Sequence, residues 1–305
     1  MQEKIGAVIV SYLPEEPLQI ENILNQVDHL VVVDNSPSNS AFIENVKKIN
    51  SPNFSLIELE SNLGQAKALN IGLNHLLSLK MDWALTLDQD SLPPDNLVKA
   101  LRSYLEKSNN KNIAIVGPQI VDINIPDKKC KYLSSKNKFK LDRIDITKES
   151  SSNLLAIITS GALTNLQAWK NVGEFREDLF IDYVDIEFCL RLKSRGFDVA
   201  AVNEIEMQHC LGQRSKKNKV LISGTPTNHN SLRRYYIARN SVFTLKKYAF
   251  KYPSWAMFES LNQLLTFYRV IFFEEKRIDK LKHIFLGYSH GILGKLGPFQ
   301  SRRNS

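Results

Sequence analysis

The chain has 305 residues, 43% hydrophobic and 24% charged, enough for one large globular domain or a domain with an appendage. No stretch of about 18 uninterrupted apolar residues predicts a membrane span, and three widely spaced cysteines, Cys130, Cys189 and Cys210, form neither a disulfide framework nor a zinc pattern, as expected of a reducing cytosol. The net charge of +8 is uneven: from Gln213 onward 18 Lys and Arg face 4 Asp and Glu, a balance of +14, which leaves −6 for the first 212 residues.

Met1 to Lys4 is polar, and the apolar run Ile5 to Val10 is too short for a signal peptide and has no small-residue cleavage site. Residues 5–13 read instead as a buried parallel strand, stopped by Pro14. A helix is expected over 17–27, where Leu18, Ile20, Ile23, Leu24 and Val27 make a broad apolar face. His29 to Val33 is a second strand, ending in Asp34-Asn35-Ser36-Pro37, and residues 40–49 suggest a second helix. Phe54 to Leu59 is a third strand. Asn62-Leu63-Gly64-Gln65-Ala66-Lys67-Ala68-Leu69-Asn70 then opens a helix running to about Leu79.

The fourth strand, Trp83 to Leu87, stops at two carboxylates one residue apart, Asp88 and Asp90, followed by Ser91, Leu92 and two prolines that prevent its continuation. Strand and helix alternate through the first 105 residues, the signature of a parallel sheet wound with helices. In such a sheet Asp34, Asn62, Asp88 and Asp90 lie along one rim, the carboxyl ends of the strands, where ligands bind. Asp88 and Asp90 are spaced to share one Mg2+ or Mn2+, hard ions suited to carboxylate and phosphate oxygen, beneath a diphosphate. The plainer alternative is two acids acting as solvated turn residues and helix caps.

Ile113 to Val121 reads as a strand, Asp122 to Asn153 as a lysine-rich excursion, either a hairpin or a mobile acceptor loop. A strand is expected over Leu154 to Thr159, running into Ser160-Gly161, and a short helix over 166–172. Asp182 is a plausible cap for a helix from Tyr183 to Ser194 that Gly196 ends. Asp182, Asp185 and Glu187 are more acids than capping needs, and Asp185 is the candidate general base for an acceptor hydroxyl. Glu187 and Arg191 have the spacing of an intrahelical ion pair. Asp198 to Val202 is a strand and Glu204 to Cys210 a short extended piece carrying His209, which either completes the metal site or is an ordinary surface histidine.

After Gly212 the character changes. Residues 214–230 are basic and turn-rich, 231–250 look helical, Pro253 breaks the chain, and 254–275 and 276–293 read as two amphipathic helices. The basic tail is read either as a solvated helical face or as docking to an anionic surface, a membrane or a phosphorylated acceptor.

The ordered set V-I-V-S-Y, V-V-V-D-N-S, N-L-G-Q-A-K-A-L-N-I-G, L-T-L-D-Q-D-S and F-I-D-Y-V-D-I-E-F-C-L-R resembles glycosyltransferase family 2, in particular its rhamnosyltransferase-like branch, over about residues 5–245. The resemblance implies an α/β fold of GT-A type: a mostly parallel sheet flanked by helices, with a C-terminal helical extension. It implies a catalytic domain over 1–212, its nucleotide-binding half to about 105 and its acceptor half over 106–212, with 213–305 as the extension. It implies inverting, metal-dependent transfer from a nucleotide sugar, for this branch dTDP-rhamnose, to a glycan or lipid-linked acceptor on the cytoplasmic side. By motif position Asp34 would read the base, Asn62 and Lys67 would line the nucleotide site, Asp88 and Asp90 would meet metal and diphosphate, and Ser160-Gly161 would lie beside donor sugar and acceptor. Asp185 would be the catalytic base and His209 the late metal-binding histidine. Arg233 to Asn240 (R-R-Y-Y-I-A-R-N) also resembles this branch.

Two readings from other classes compete. In a haloacid-dehalogenase-type phosphatase Asp88 would be the nucleophile, but Ser91 falls one place early and three βα units precede the motif. A basic membrane or nucleic-acid binding module would rest on the tail, which carries no recognised nucleic-acid motif; no nucleic-acid partner is expected.

Overall fold

The computed structural model describes residues 3–14, 18–37, 41–122, 129–137, 139–209 and 227–300. The first half runs β1 (Ile5–Ser11), α1 (Ile20–Leu24), β2 (His29–Asp34), α2 (Ala41–Val46), β3 (Phe54–Glu58), α3 (Gln65–Ser78), β4 (Trp83–Asp88), α4 (Leu97–Lys107) and β5 (Ile113–Asp122). A hairpin of β6 (Tyr132–Asn137) and β7 (Lys140–Ile144) follows, then β8 (Ala162–Asn165), α5 (Leu166–Val172), a 3-10 turn (Glu177–Leu179), α6 (Val184–Ser194) and β9 (Asp198–His209). Three helices close the sequence: α7 (Ser231–Tyr248), α8 (Pro253–Phe273) and α9 (Arg277–Leu293).

Among the described residues seven strands make one sheet in the order β3-β2-β1-β4-β8-β5-β9. All neighbours pair in parallel except β8, which is antiparallel to both β4 and β5. Alternate residues of one strand feed opposite layers, because strand side chains point alternately to the two faces. Val8, Val31 and Val33 pack towards α3, α5 and α6, whereas Ile9, Leu30 and Val32 pack towards α1 and α4. Burial on both faces explains why these strands read as uniformly apolar.

Three sequence expectations change. The apolar stretch Leu154 to Thr159 is buried in part but is not a sheet strand; among its described residues only Ala156 makes a ladder bridge, to Leu133. The strand there is β8, entered through Gly161, whose N–H donates to the Thr86 carbonyl. A short apolar run is buried equally well in or out of a ladder, so composition could not separate the two. Asp182 is not the cap of α6: Tyr183 holds that position, at φ +64° and with no side-chain cap bond, because the Asp182 carboxylate is taken by Arg233. Of the two pieces expected over 198–210, the described part, 198–209, is one strand, β9, whose register shifts after Val202, opposite Pro118 and Gln119. The excursion after Asp122 does contain a hairpin, β6–β7. Residues 210–226, including Cys210 and most of the basic turn-rich stretch, lie outside the described residues.

α7 and α9 approach closely because α9 presents glycine at the contact. A Cβ on Gly287 would stand 2.5 Å from the Tyr235 carbonyl oxygen, and one on Gly291 2.5 Å from that of Arg239. Arg234, Glu274 and Lys280 form a buried charge cluster beneath them, with Lys280 Nζ 2.9 Å from Glu274 Oε2.

Candidate active site

The parallel registers bring the strand ends together as the sequence implied: Ser11 lies beside Asp34, Val10 beside Asp88 and Asp34 beside Glu58. Asp34 is buried, and its Oδ1 accepts from the hydroxyls of Ser11 (3.0 Å) and Ser36 (2.7 Å). Asn35 and Asn62 knit the next loop: Asn35 Nδ2 donates to Asn62 Oδ1, which also accepts from the Gly64 N–H, while Asn35 Oδ1 accepts from the Leu63 N–H. Gly64 then starts α3 at φ +88°, where an added Cβ would meet the Phe180 ring at 2.6 Å. Lys67, in the first turn of α3, points to Glu177 at 3.8 Å, an exposed pair.

Asp88 ends β4. Its Oδ1 accepts from Gln65 Nε2 at 3.0 Å, and its own N–H reaches the hydroxyls of Ser91 (3.1 Å) and Ser160 (3.4 Å), which are 2.6 Å apart. Ser160 thus ties the β4 turn to the entrance of β8. Next to it, Gly161 has φ +81°, and a Cβ there would stand 2.5 Å from Met207 Sδ. Leu92 bridges Gln208 in antiparallel fashion, and this carries the turn holding Asp90 to the end of β9 and its His209. As a result one ligand atom from each of Asp88, Asp90 and His209 lies within 4.8 Å of the others. His209 Nδ1 is buried with no hydrogen-bond partner among the described residues. Two carboxylates and an unspent imidazole nitrogen are a donor set that fits Mg2+ or Mn2+, the imidazole suiting Mn2+ better. Burial raises the Asp88 pKa and the Asp90 charge raises it further, while His209, Gln65 and Arg233 oppose the shift.

Asp185 comes to the same rim from the second half of the chain. It lies in the first turn of α6, where its Oδ1 accepts from the Ile186 N–H at 2.8 Å. Burial, then the charges of Asp182 and Asp88, push its pKa up to about 6, against the pull of that N–H. The segment before it is strained: Phe180, Asp182 and Tyr183 all have positive φ, at 67°, 61° and 64°. Asn240 of α7 holds this strap, its Nδ2 donating to the carbonyls of Leu179 (2.9 Å), Ile181 (2.8 Å) and Asp182 (3.0 Å). Arg239 adds a bond to Leu179 O at 2.9 Å. The Tyr183 hydroxyl donates to Glu259 of α8 and accepts from Gln263 Nε2.

Glu187 faces the other way and is structural. It is fully buried and accepts from Arg191, Lys247 (2.8 Å) and the Tyr248 hydroxyl (2.8 Å). Burial opposes its charge, yet Arg191 and Lys247 hold its carboxyl below the usual range.

Sequence reasoning missed several residues at this rim. Arg233 meets Asp182 through Nη2 (3.1 Å) and Nε (3.2 Å), and its charge is also felt by Asp88 and Asp90. Gln65, Ser91 and Asn240 were in the quoted motifs, but nothing in their spacing showed what they touch.

A family model described as glycosyl transferase family 2 matches residues 12–168. The dTDP-rhamnosyl transferase RfbF of Shigella flexneri is 33% identical over 253 residues, covering 81% of each chain. The galactofuranosyltransferase GlfT1 of Mycolicibacterium smegmatis is 24% identical, covering 80% of this chain and 84% of that protein. Among solved structures, residues 1–349 of S. aureus TarS superpose with TM-score 0.60 at 14% identity, covering 95% of this chain and 81% of that one. GalNAc-T7, solved with UDP, GalNAc and Mn2+, gives 0.59 at 14% identity; 80% of this chain matches, and it spans about half (48%) of that chain. At such identities the last two likenesses show a shared fold.

Proposed function

This chain belongs to glycosyltransferase family 2 and is a glycosyltransferase of GT-A fold, and on that premise we propose that it transfers L-rhamnose from dTDP-rhamnose, with inversion, to a hydroxyl of a glycan or lipid-linked acceptor in cell-surface polysaccharide synthesis. The donor rests on the 33% identity to a dTDP-rhamnosyl transferase. The observation that supports the mechanism is the cluster of Asp88, Asp90 and His209, with Asp185, the residue read as the base, near enough to feel the charge of Asp88.

In this reading residues 1–212 are the catalytic domain and 213–305 its extension. Asp34, Asn62 and Lys67 lie on the nucleotide side, with Asp34 held for the base by Ser11 and Ser36. Asp88, Asp90 and His209 would hold Mg2+ or Mn2+, which supplies positive charge to the departing diphosphate. Arg233, drawn to the same acids, shares that charge. Ser160 lies beside Asp88 and, with Gly161, belongs to the side of the donor sugar and acceptor. Asp185 takes the proton of the acceptor hydroxyl; the oxygen forms its bond to the anomeric carbon as the bond to the diphosphate oxygen breaks on the opposite face. Its pKa of about 6 leaves it mostly ionised yet still basic near neutrality.

Incubation of the full chain with dTDP-rhamnose or UDP-linked hexoses, with and without Mn2+, tests the reading. Stabilisation by dTDP and release of dTDP from dTDP-rhamnose support it; preference for UDP overturns the donor, and equal turnover after chelation overturns the metal. The phosphatase alternative has no support from the family, and in the fold Asp88 ends the fourth strand and its neighbour Ser91 is engaged with Ser160.

A further inference from the structure

α8 and α9 form a helical hairpin with an apolar outer face. On α8, Leu261, Leu264, Tyr268 and Phe272 recur at helical spacing along one stripe, with Leu264 67% and Phe272 62% exposed. On α9, Ile278, Phe285 and Ile292 repeat every seven residues and are 69%, 56% and 61% exposed. Phe285 meets edge-on, at 5.6 Å, the ring of Phe267, a partly buried neighbour of Tyr268, so the two helices adjoin alongside these stripes. Apolar residues scattered singly over a surface need no explanation, but a continuous double stripe does.

Charge decides what covers it. The exposed basic residues beside the stripe are Lys276, Arg277 and Lys282. Against these three cations stand two exposed acids, Glu275 and Asp279, the latter engaged with Ser231 and His283, so the balance stays positive. The two charged residues of α8, Glu259 and Arg269, are not on its exposed stripe. Lys282 stands one turn from both Ile278 and Phe285, within the apolar face. In a two-fold contact between copies it would be carried into an apolar centre. Against lipid its stem lies along the apolar surface while the ammonium reaches a phosphate. No helix among the described residues is long and apolar enough to cross a membrane, so a helix pair of this kind would lie in the interface plane.

We propose that the outer face of the α8–α9 hairpin docks on an anionic lipid surface. The inner faces of the same helices reach the active site. Glu259 and Gln263 hold the Tyr183 hydroxyl, two residues before Asp185, and α9 runs against α7, whose Arg239 and Asn240 hold the strap carbonyls. Docking therefore fixes the height of the Asp185 strap above the lipid, where the hydroxyl of a lipid-linked acceptor would be presented. That consequence rests on the proposed function; the docking surface itself does not.

The test is cosedimentation of the full chain, at physiological salt, with phosphatidylcholine vesicles with and without about 30% phosphatidylglycerol. The protein should pellet with the anionic vesicles. The variant Leu264→Gln/Phe272→Gln/Phe285→Gln should lose at least about tenfold in partitioning, and Lys276→Gln/Arg277→Gln/Lys282→Gln should lose its preference for the anionic vesicles, both retaining the cooperative thermal unfolding of the unaltered chain as proof of a folded protein. Failure of the unaltered chain to pellet, equal binding to neutral and anionic vesicles, or a dimer in light scattering that the apolar variant turns into a monomer would each overturn the proposal. Since no step requires turnover, the result is independent of which sugar is transferred.

Discussion

An antiparallel bridge joins Leu92 to Gln208, and it is what brings Asp90 next to His209. The β4 turn and the end of β9 are remote in sequence and are not adjacent strands of the sheet, whose order separates them by β8 and β5. The bridge spans that gap, and among the described residues His209 Nδ1 is buried without a hydrogen-bond partner.

If that nitrogen is kept for a metal, Asp90→Ala and His209→Ala should each weaken Mn2+-dependent binding of dTDP by about 10- to 100-fold. Binding measured by calorimetry in the presence of chelator should match that of the unaltered protein. Undiminished Mn2+-dependent affinity in either variant would remove that residue from the site.

Asp185→Asn should abolish transfer and leave dTDP affinity within about threefold. The same substitution makes a stability prediction. The folded-state pKa of Asp185 is raised from 3.8 to about 6, so its contribution is most favourable below pH 3.8 and is lost as pH rises through about 6. At most about 3 kcal/mol is involved. The variant should therefore melt at higher temperature than the parent at pH 7 to 8, and the gain should fade as pH falls towards 4. In the parent, kcat/KM should decline on the acid side with a limb near pH 6. A flat profile down to pH 5 would place the base elsewhere.

Asn240 touches none of the groups assigned to substrate, but its amide holds three carbonyls of the strained strap. Asn240→Ala should lower kcat by about 10- to 100-fold while the KM for donor changes little, because the loss is in the placement of Asp185. A proportional rise in donor KM with kcat intact would show that the strap serves nucleotide binding instead.

Glu187→Ala should destabilise the fold by about 3 to 5 kcal/mol, since it leaves Arg191 buried without its carboxylate. Because the Glu187 carboxyl lies below its usual range when folded, its stabilisation is present above its unfolded value of 4.5 and is lost as pH falls through the lower folded value. Denaturant unfolding at pH 7 and pH 4 should show the difference between parent and variant shrinking at the lower pH.

The α/β alternation, the rim made by Asp34, Asn62 and Asp88, and the helices after Ser231 were legible because each depends on local signals: apolar runs of strand length, prolines and glycines that end them, and helical spacing. The expected strand over Leu154 to Thr159 failed because burial alone leaves no trace of which residues pair. The role of Asp182 failed for a related reason. Its position before a helix suggested a cap, but its carboxylate is bound by Arg233, a residue that is distant in sequence and carries no marker of that contact.

The sequence by itself determined the family, the wound sheet and the identity of the acids at its carboxyl edge, since these follow from residue type and order along the chain. Only the tertiary structure decided which of those acids lie together. His209 joins Asp88 and Asp90 through a bridge between non-adjacent elements. Asp185 is aimed by a strained strap that Asn240 holds from another helix, and Glu187, two residues away, turns into the core on Arg191 and Lys247. The division is physical: strand and helix form from periodicity within a few residues, whereas a site depends on charge and hydrogen bonds between side chains that meet only when the layers pack.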